Sequence, residues 1–179
     1  MATVKWTLDK AHSQLQFKVR HMMLTTVTGD FKEFDIEVET AGDDFSTAKI
    51  NVTANIESVA SGSEQRDTHL KSDDFFNAEK FPALSFTGTS LTHAGDDHWI
   101  LQGDLTIRDI TKPVSFQVLY MGMIDDPWGN KKAGFEVNGK VSRKEYGLLW
   151  NVVTEAGGDQ ARGDVRLHCH VQFSKQKTA

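Results

Sequence analysis

Three groups of residues in this 179-residue chain have the types and spacing for chemistry. Asp9, His12 and Ser13 supply the acid, base and hydroxyl of a hydrolytic triad. A triad needs its base within hydrogen-bond reach of the hydroxyl. His12 and Ser13 are neighbours where an alternating stretch begins, and adjacent strand residues point to opposite faces. The expectation is a turn leading into a strand, with no catalytic residue. His168 and His170 fall on one strand face, a spacing that can hold a metal with a third ligand nearby. No second Cys and no His-x-x-x-His accompanies them, so a solvated outer face is expected and no metal. The third group centres on His21, placed inward by parity among Phe17, Val19 and Met23. It is either a core histidine hydrogen-bonded to backbone or a polar anchor for the head group of a lipid-like ligand. Arg66 and His69, on a polar insert, are second candidates for that anchor, with simple solvation as the alternative.

Other chemistry finds no footing. There is no G-x-G-x-x-G, no complete P-loop and no G-x-S-x-G elbow, so no cofactor is expected. The net charge is −5 without a Lys/Arg cluster, which argues against a nucleic-acid partner. A single cysteine, Cys169, excludes an internal disulfide framework. No apolar run approaches the roughly 20 residues of a membrane-spanning helix. The start, MATVKWTLDK, has no apolar h-region, so the chain reads as cytoplasmic, or periplasmic if a leader was removed.

The elements that must position these residues are strands. Leu15, Phe17 and Val19 alternate with Gln14, Gln16, Lys18 and Arg20, the period of a strand with one dry and one wet face. Gly29 interrupts this stretch where a strand could bend sharply or pass close to another backbone. Phe34, Ile36 and Val38 resume the pattern. Ala41–Ser46 reads as a turn, and Ala48–Ile56 as the next strand. Residues 61–74 are polar and lack alternation, with one helix expected over Glu64–Lys71 behind a capping Ser. Further strands are expected at Ala83–Leu91, Trp99–Ile107, Val114–Met121, around Phe135–Val141 and at Asp164–Phe173. Turns fall at His93–His98 and Asp125–Lys132, and Glu145–Trp150 is an irregular link.

Regularly spaced strands without interleaved helices predict one all-β domain over residues 1–179, an antiparallel sandwich or barrel. The long bent strands favour a barrel of about eight strands with a short helical insert. Some eight-stranded barrels hold one small ligand inside. The inward positions expected to line such a cavity are Phe17, Val19, His21, Met23, Phe34, Ile36, Val52, Phe86, Leu101, Leu105, Phe116, Val118, Phe135 and Val137.

Several stretches resemble one family in family order. WTLDKAHSQLQFKVRHMMLTTVTGDFKEF (Trp6–Phe34) resembles the N-terminal signature of YceI-like proteins. RDTHL (Arg66–Leu70), FFNAEKFPALSF (Phe75–Phe86), GDLTIRDITKPVSF (Gly103–Phe116) and SRKEYGLLWN (Ser142–Asn151) continue the match. The resemblance implies a lipocalin-like extended antiparallel barrel with an elongated apolar cavity. It implies a long-chain isoprenoid or acyl ligand, such as a polyisoprenoid, a quinone tail, a prenyl phosphate or a fatty-acid derivative. It also implies roles in carriage, storage or stress response, often as a homodimer, and no established catalysis. Asp109 stands where the family pattern usually has Gly. If that Gly serves a turn with positive φ, Asp can adopt it at some cost.

Overall fold

Among the described residues, alternation along the chain becomes eleven strands in one antiparallel sheet. The computed structural model describes residues 3–21, 25–73, 75–142, 144–146, 148 and 164–176. The strands are β1 (Thr3–Leu8), β2 (Gln14–His21), β3 (Thr25–Phe31), β4 (Phe34–Ala41), β5 (Asp44–Asn55) and β6 (Val59–Ala60). After α1 (Glu64–Lys71), the one α-helix among the described residues, come β7 (Ala83–His93), β8 (His98–Ile107), β9 (Ile110–Asp125), β10 (Lys131–Ser142) and β11 (Asp164–Lys175). Eight of them, in the order β1-β4-β5-β7-β8-β9-β10-β11, close into a barrel where β1 pairs back onto β11. The remaining three, β2, β3 and β6, continue the wall from β11. Closure removes the free edges that an open sheet would expose.

Burial follows the two-residue period. β1 alternates exposed and buried along all six residues, with Val4, Trp6 and Leu8 inward. In β11, Val165, Val171 and Phe173 are buried and Arg166 and His170 exposed. One buried polar pair is satisfied internally: Trp6 Nε1 donates to Thr40 Oγ1 at 3.0 Å, and Thr40 donates to the Gly42 carbonyl at 2.5 Å. Such pairing avoids the cost of an unmatched polar group in an apolar interior.

Gly29 serves close approach. It lies opposite Phe17 in the β2–β3 ladder, and a Cβ there would collide with the Phe17 ring. Gly139 on β10 plays the same part for Phe116 on β9. Each ring can lie flat along the wall because its neighbour has no side chain.

The helix begins where expected. Ser63 Oγ accepts from the Arg66 amide at 3.3 Å, and Leu70 is fully buried. Its exit carries Phe75 and Phe76, at 0 and 3% exposure, into the barrel end. Phe76 meets Phe17 edge-on at 5.6 Å between centroids and Phe31 at 5.7 Å. The insert thus closes one end of the barrel, here termed the capped end. The opposite end consists of the β4–β5, β7–β8 and β9–β10 turns.

Three expectations are corrected. The turn expected over Ala41–Ser46 is only Gly42 and Asp43, because Gly42 takes φ +58° and β5 resumes at Asp44. Phe45 is therefore a strand residue whose ring reaches Trp6 (5.0 Å) and Phe135 (5.1 Å). Strand β9 is longer than Val114–Met121, and Pro113 sits within it opposite Asp104. In the β8–β9 turn the positive φ belongs to Arg108 (+57°) and not to Asp109. Arg108 is held there by hydrogen bonds to the Asp73 carbonyl (2.8 Å) and carboxylate (2.9 Å), and it lies over the Phe81 ring. These contacts fix a conformation that costs a non-glycine residue about 1–3 kcal/mol.

Candidate functional site: an apolar central cavity

Inward residues from seven of the eight barrel strands enclose a central cavity of about 120 Å³. Among the described residues every lining side chain is apolar except the Cys169 thiol. The cavity runs from Phe17, Phe31 and Phe76 at the capped end to Phe45, Phe135 and Phe173 near the turns. Typical small-molecule pockets measure about 300–1,000 Å³. This one is a narrow slot, so a ligand enters only as rings and aliphatic side chains shift.

Ten of the expected residues line the slot: Phe17, Ile36, Val52, Phe86, Leu101, Leu105, Phe116, Val118, Phe135 and Val137. Two described ones do not join them, and two fall outside the described side chains. Val19 is buried at 1% exposure, opposite Val27, but does not line the cavity. Phe34 sits beside the β3–β4 bend, half-buried, and faces a separate cleft in the wall. His21 pairs through its backbone with Thr25, but its side chain lies outside the described residues, as does Met23.

Further lining residues had a readable signal. Val165, Leu167, Cys169, Val171 and Phe173 share one parity on β11 and all reach the cavity. Phe45 was hidden by the turn assignment, and Phe76 by the aperiodic segment that carries it. Cys169 is half-buried and opens onto the cavity, and burial pushes its thiol up to about 12. At neutral pH it is a small apolar wall group and not a thiolate. At the capped end Tyr146 is 1% exposed and donates its hydroxyl to the Leu105 carbonyl at 3.1 Å. Burial first, then Glu145 and Asp104, push that hydroxyl up to about 12, so it stays a donor.

The polar candidates are employed elsewhere. Arg66 neither lines the cavity nor is merely solvated: its Nε donates to Ser61 Oγ at 2.9 Å and its Nη2 to the Ser61 carbonyl at 2.6 Å. Asp67 accepts from the Ser61 amide at 2.8 Å, completing a clamp on the helix approach. His69 is half-buried on the same helix and lines no part of the cavity. His12 pairs with Asp9 at 2.9 Å, while Ser13 Oγ accepts the Gln172 amide at 3.0 Å. The hydroxyl is committed to the β11 backbone and not to His12. Burial raises the Asp9 carboxyl, but hydrogen bonds from His12 and Lys132 outweigh it and hold Asp9 below the usual range. His168 Nδ1 meets Asn138 Oδ1 at 2.5 Å, and His170 Nδ1 lies 3.3 Å from Glu136 Oε1, both across the outer face of β10–β11. Among the described residues no group of three or more ligand-type side chains is placed to hold a metal.

This architecture recurs. The family model for the YceI-like domain matches residues 6–173. The protein YceI of Salmonella newport is 38% identical over 175 residues that cover 97% of this chain and 88% of that one. The crystal structure of the Campylobacter jejuni YceI protein is 30% identical, with a TM-score of 0.76, covering 96% of this chain and 98% of that one. A polyisoprenoid binding domain from Saccharophagus degradans shares the fold at 12% identity and a TM-score of 0.69, covering 96% of this chain and 98% of that one. On the strength of the match from Trp6 to Phe173, this chain belongs to the YceI-like family.

Proposed function

We propose that the barrel binds the long hydrocarbon tail of an amphiphile, and that it carries or stores this molecule without transforming it. Candidate ligands are a polyisoprenoid, a quinone with an isoprenoid tail, a prenyl phosphate or a fatty-acyl compound. The observation that carries the reading is the cavity wall, whose described residues offer a ligand apolar contact and no charged group. Burial of hydrocarbon contributes roughly 0.8 kcal/mol per CH₂, so ten carbons could supply about 8 kcal/mol before losses. Affinity then comes from the tail, and selectivity from the length and width of the slot. The Saccharophagus degradans domain, named for polyisoprenoid binding, supports a ligand of this class.

Native mass spectrometry of the purified protein, followed by organic extraction, tests the reading. The expected result is a discrete adduct in the mass range of a polyprenyl or long acyl compound. A clean apo mass after incubation with quinones, polyprenols and fatty amides would overturn it. Val118 and Val137 face each other in the β9–β10 ladder and both line the slot. The double variant Val118→Trp/Val137→Trp should fold and lose the adduct, and unchanged stoichiometry would show that ligand sits elsewhere.

A further inference from the structure

Among the described residues the barrel wall is interrupted between the β1–β4 and β2–β3 ladders. β1 and β2 run end to end along one edge of β11, and β3 and β4 run end to end beside them. The β1–β4 ladder stops at Trp6 opposite Val38, and the β2–β3 ladder starts at Gln16 opposite Asp30. Between these points the two bends are bonded away from each other. Asp9 donates its amide to the Gln172 carbonyl at 2.8 Å, and Ser13 accepts the Gln172 amide, so the first bend is tied to β11. Lys32 and Glu33 donate their amides to Ser58, at 3.2 Å to its carbonyl and 2.9 Å to its hydroxyl. Asn55 donates to the Glu33 carbonyl at 2.9 Å, so the second bend is tied to β5 and the turn that follows it.

A cleft of about 640 Å³ opens between the bends. Leu15 and Phe31 line both this cleft and the central cavity. They are 6 and 2% exposed and lie just beyond the last paired position of the β2–β3 ladder, where their side chains close the wall. Phe31 is held by ring contacts with Phe17 (5.3 Å) and Phe76. A ring or aliphatic side chain can swing aside at far lower cost than a sheet ladder can be broken. The rim carries Lys10 and Lys32 against Asp30, Glu33 and Asp35. Carboxylates outnumber ammonium groups, so the cleft presents no net positive field to a phosphate.

We propose that this cleft is a lateral portal of the barrel. The tail passes between Leu15 and Phe31, and an uncharged polar head group, such as a quinone, an alcohol or an amide, stays in the cleft. The proposal rests on the binding reading above and locates the polar end of the same ligand.

The test uses the full chain and a long-chain fatty amide carrying a diazirine at its head. Uptake is read by native mass spectrometry before irradiation, and cross-links are mapped afterwards. Cross-links within residues 10–14 and 30–35 are expected. Uptake with cross-links at the turns around residues 43, 96 and 128, or on the helix over 64–71, overturns the portal and leaves the binding reading standing. Absence of uptake overturns the binding reading, and the portal with it. As a second readout, geranylgeranyl diphosphate should compete about tenfold more weakly than geranylgeraniol, a gap that net charge at the rim can produce. Equal or stronger competition by the diphosphate overturns the head-group assignment. Ala11→Trp, an exposed rim change, should slow uptake, and an unchanged rate would place the entry elsewhere.

Discussion

The two ends of the barrel are built from similar rings and held by different forces. At the capped end Phe17, Phe31, Phe75 and Phe76 are all 3% exposed or less and lie beneath the α1 insert. At the turn end Trp6, Phe45, Tyr120, Phe135 and Phe173 form a comparable cluster, but Phe45 and Tyr120 are only half-buried. Nearby on β9 and its turn, Ile124 and Trp128 are 65 and 78% exposed. Ion pairs hold this end together: Asp43 bridges Lys175 (2.8 Å) and Lys131 (3.9 Å), and Asp9 bridges Lys132 (3.3 Å). The same aromatic chemistry is a dry plug at one end and a wet, adjustable one at the other. In the portal proposed above the tail enters beside Phe31, the one ring of the dry plug that borders the cleft, and the slot lengthens to take it at the end whose rings water already reaches.

The largest expected effect tests that contrast directly. Phe76→Ala removes a fully packed ring and leaves a cavity, so urea unfolding should show a loss of about 3–5 kcal/mol. Phe45→Ala starts from a half-buried ring and should lose less than half as much. Equal losses would mean that the two plugs are energetically alike and that the turn end has no special freedom.

How far the sequence showed this follows from how each part is made. The barrel wall was readable because it is built from the two-residue period, which survives strand after strand from Leu15 to Phe173. The helix was readable because Ser63 caps a segment without alternation. The closing plugs were harder. Phe76 follows the helix in a segment with no period, and Phe45 lies two residues past a turn that looked longer than it is. By sequence Arg66 is a second candidate anchor beside simple solvation, because a charged group on an insert invites either role, whereas its bonds to Ser61 depend on a local chain reversal that parity cannot show. The cleft between the bends was not legible: the bend expected at Gly29 falls inside β3, and the chain bends instead at Lys32 and Glu33. That the bends separate depends on partners far along the chain, Gln172 and Ser58, which no local pattern announces.

A change in the middle of the barrel comes next in size. A Cβ on Gly139 would collide with the Phe116 ring, so Gly139→Ala must push that ring off the wall toward the slot. Overpacking of this kind costs about 1–3 kcal/mol. Stability should fall by that amount, and ligand uptake should fall with it, since the displaced ring occupies lumen. Loss of stability with full uptake would show that the middle of the slot gives way as readily as its wet end.

The smallest effect comes from acid. Hydrogen bonding to Lys175, partly opposed by burial, holds the Asp43 carboxyl below the usual range, with Lys175 and Lys131 charges adding to the lowering. A carboxyl depressed in the folded state stabilises the fold above its unfolded value of about 3.9, and this contribution disappears as pH falls through the folded value. Asp9 carries the same sign. Both ties belong to the wet half of the comparison, and the Phe17–Phe76 plug contains no titrating group. Asp43 is 43% exposed, so its pairs should contribute within the range of about 0–1 kcal/mol found for surface ion pairs. Asp43→Asn should therefore lower urea stability slightly at pH 7, less in high salt, and converge with the parent below about pH 3 as the carboxylates are protonated. A difference that persists at that pH would mean that Asp43 acts through the geometry of the Gly42–Asp43 turn and not through its charge. The turn end would then be held by backbone, as the capped end is held by packing, and the contrast between them would narrow to water access alone.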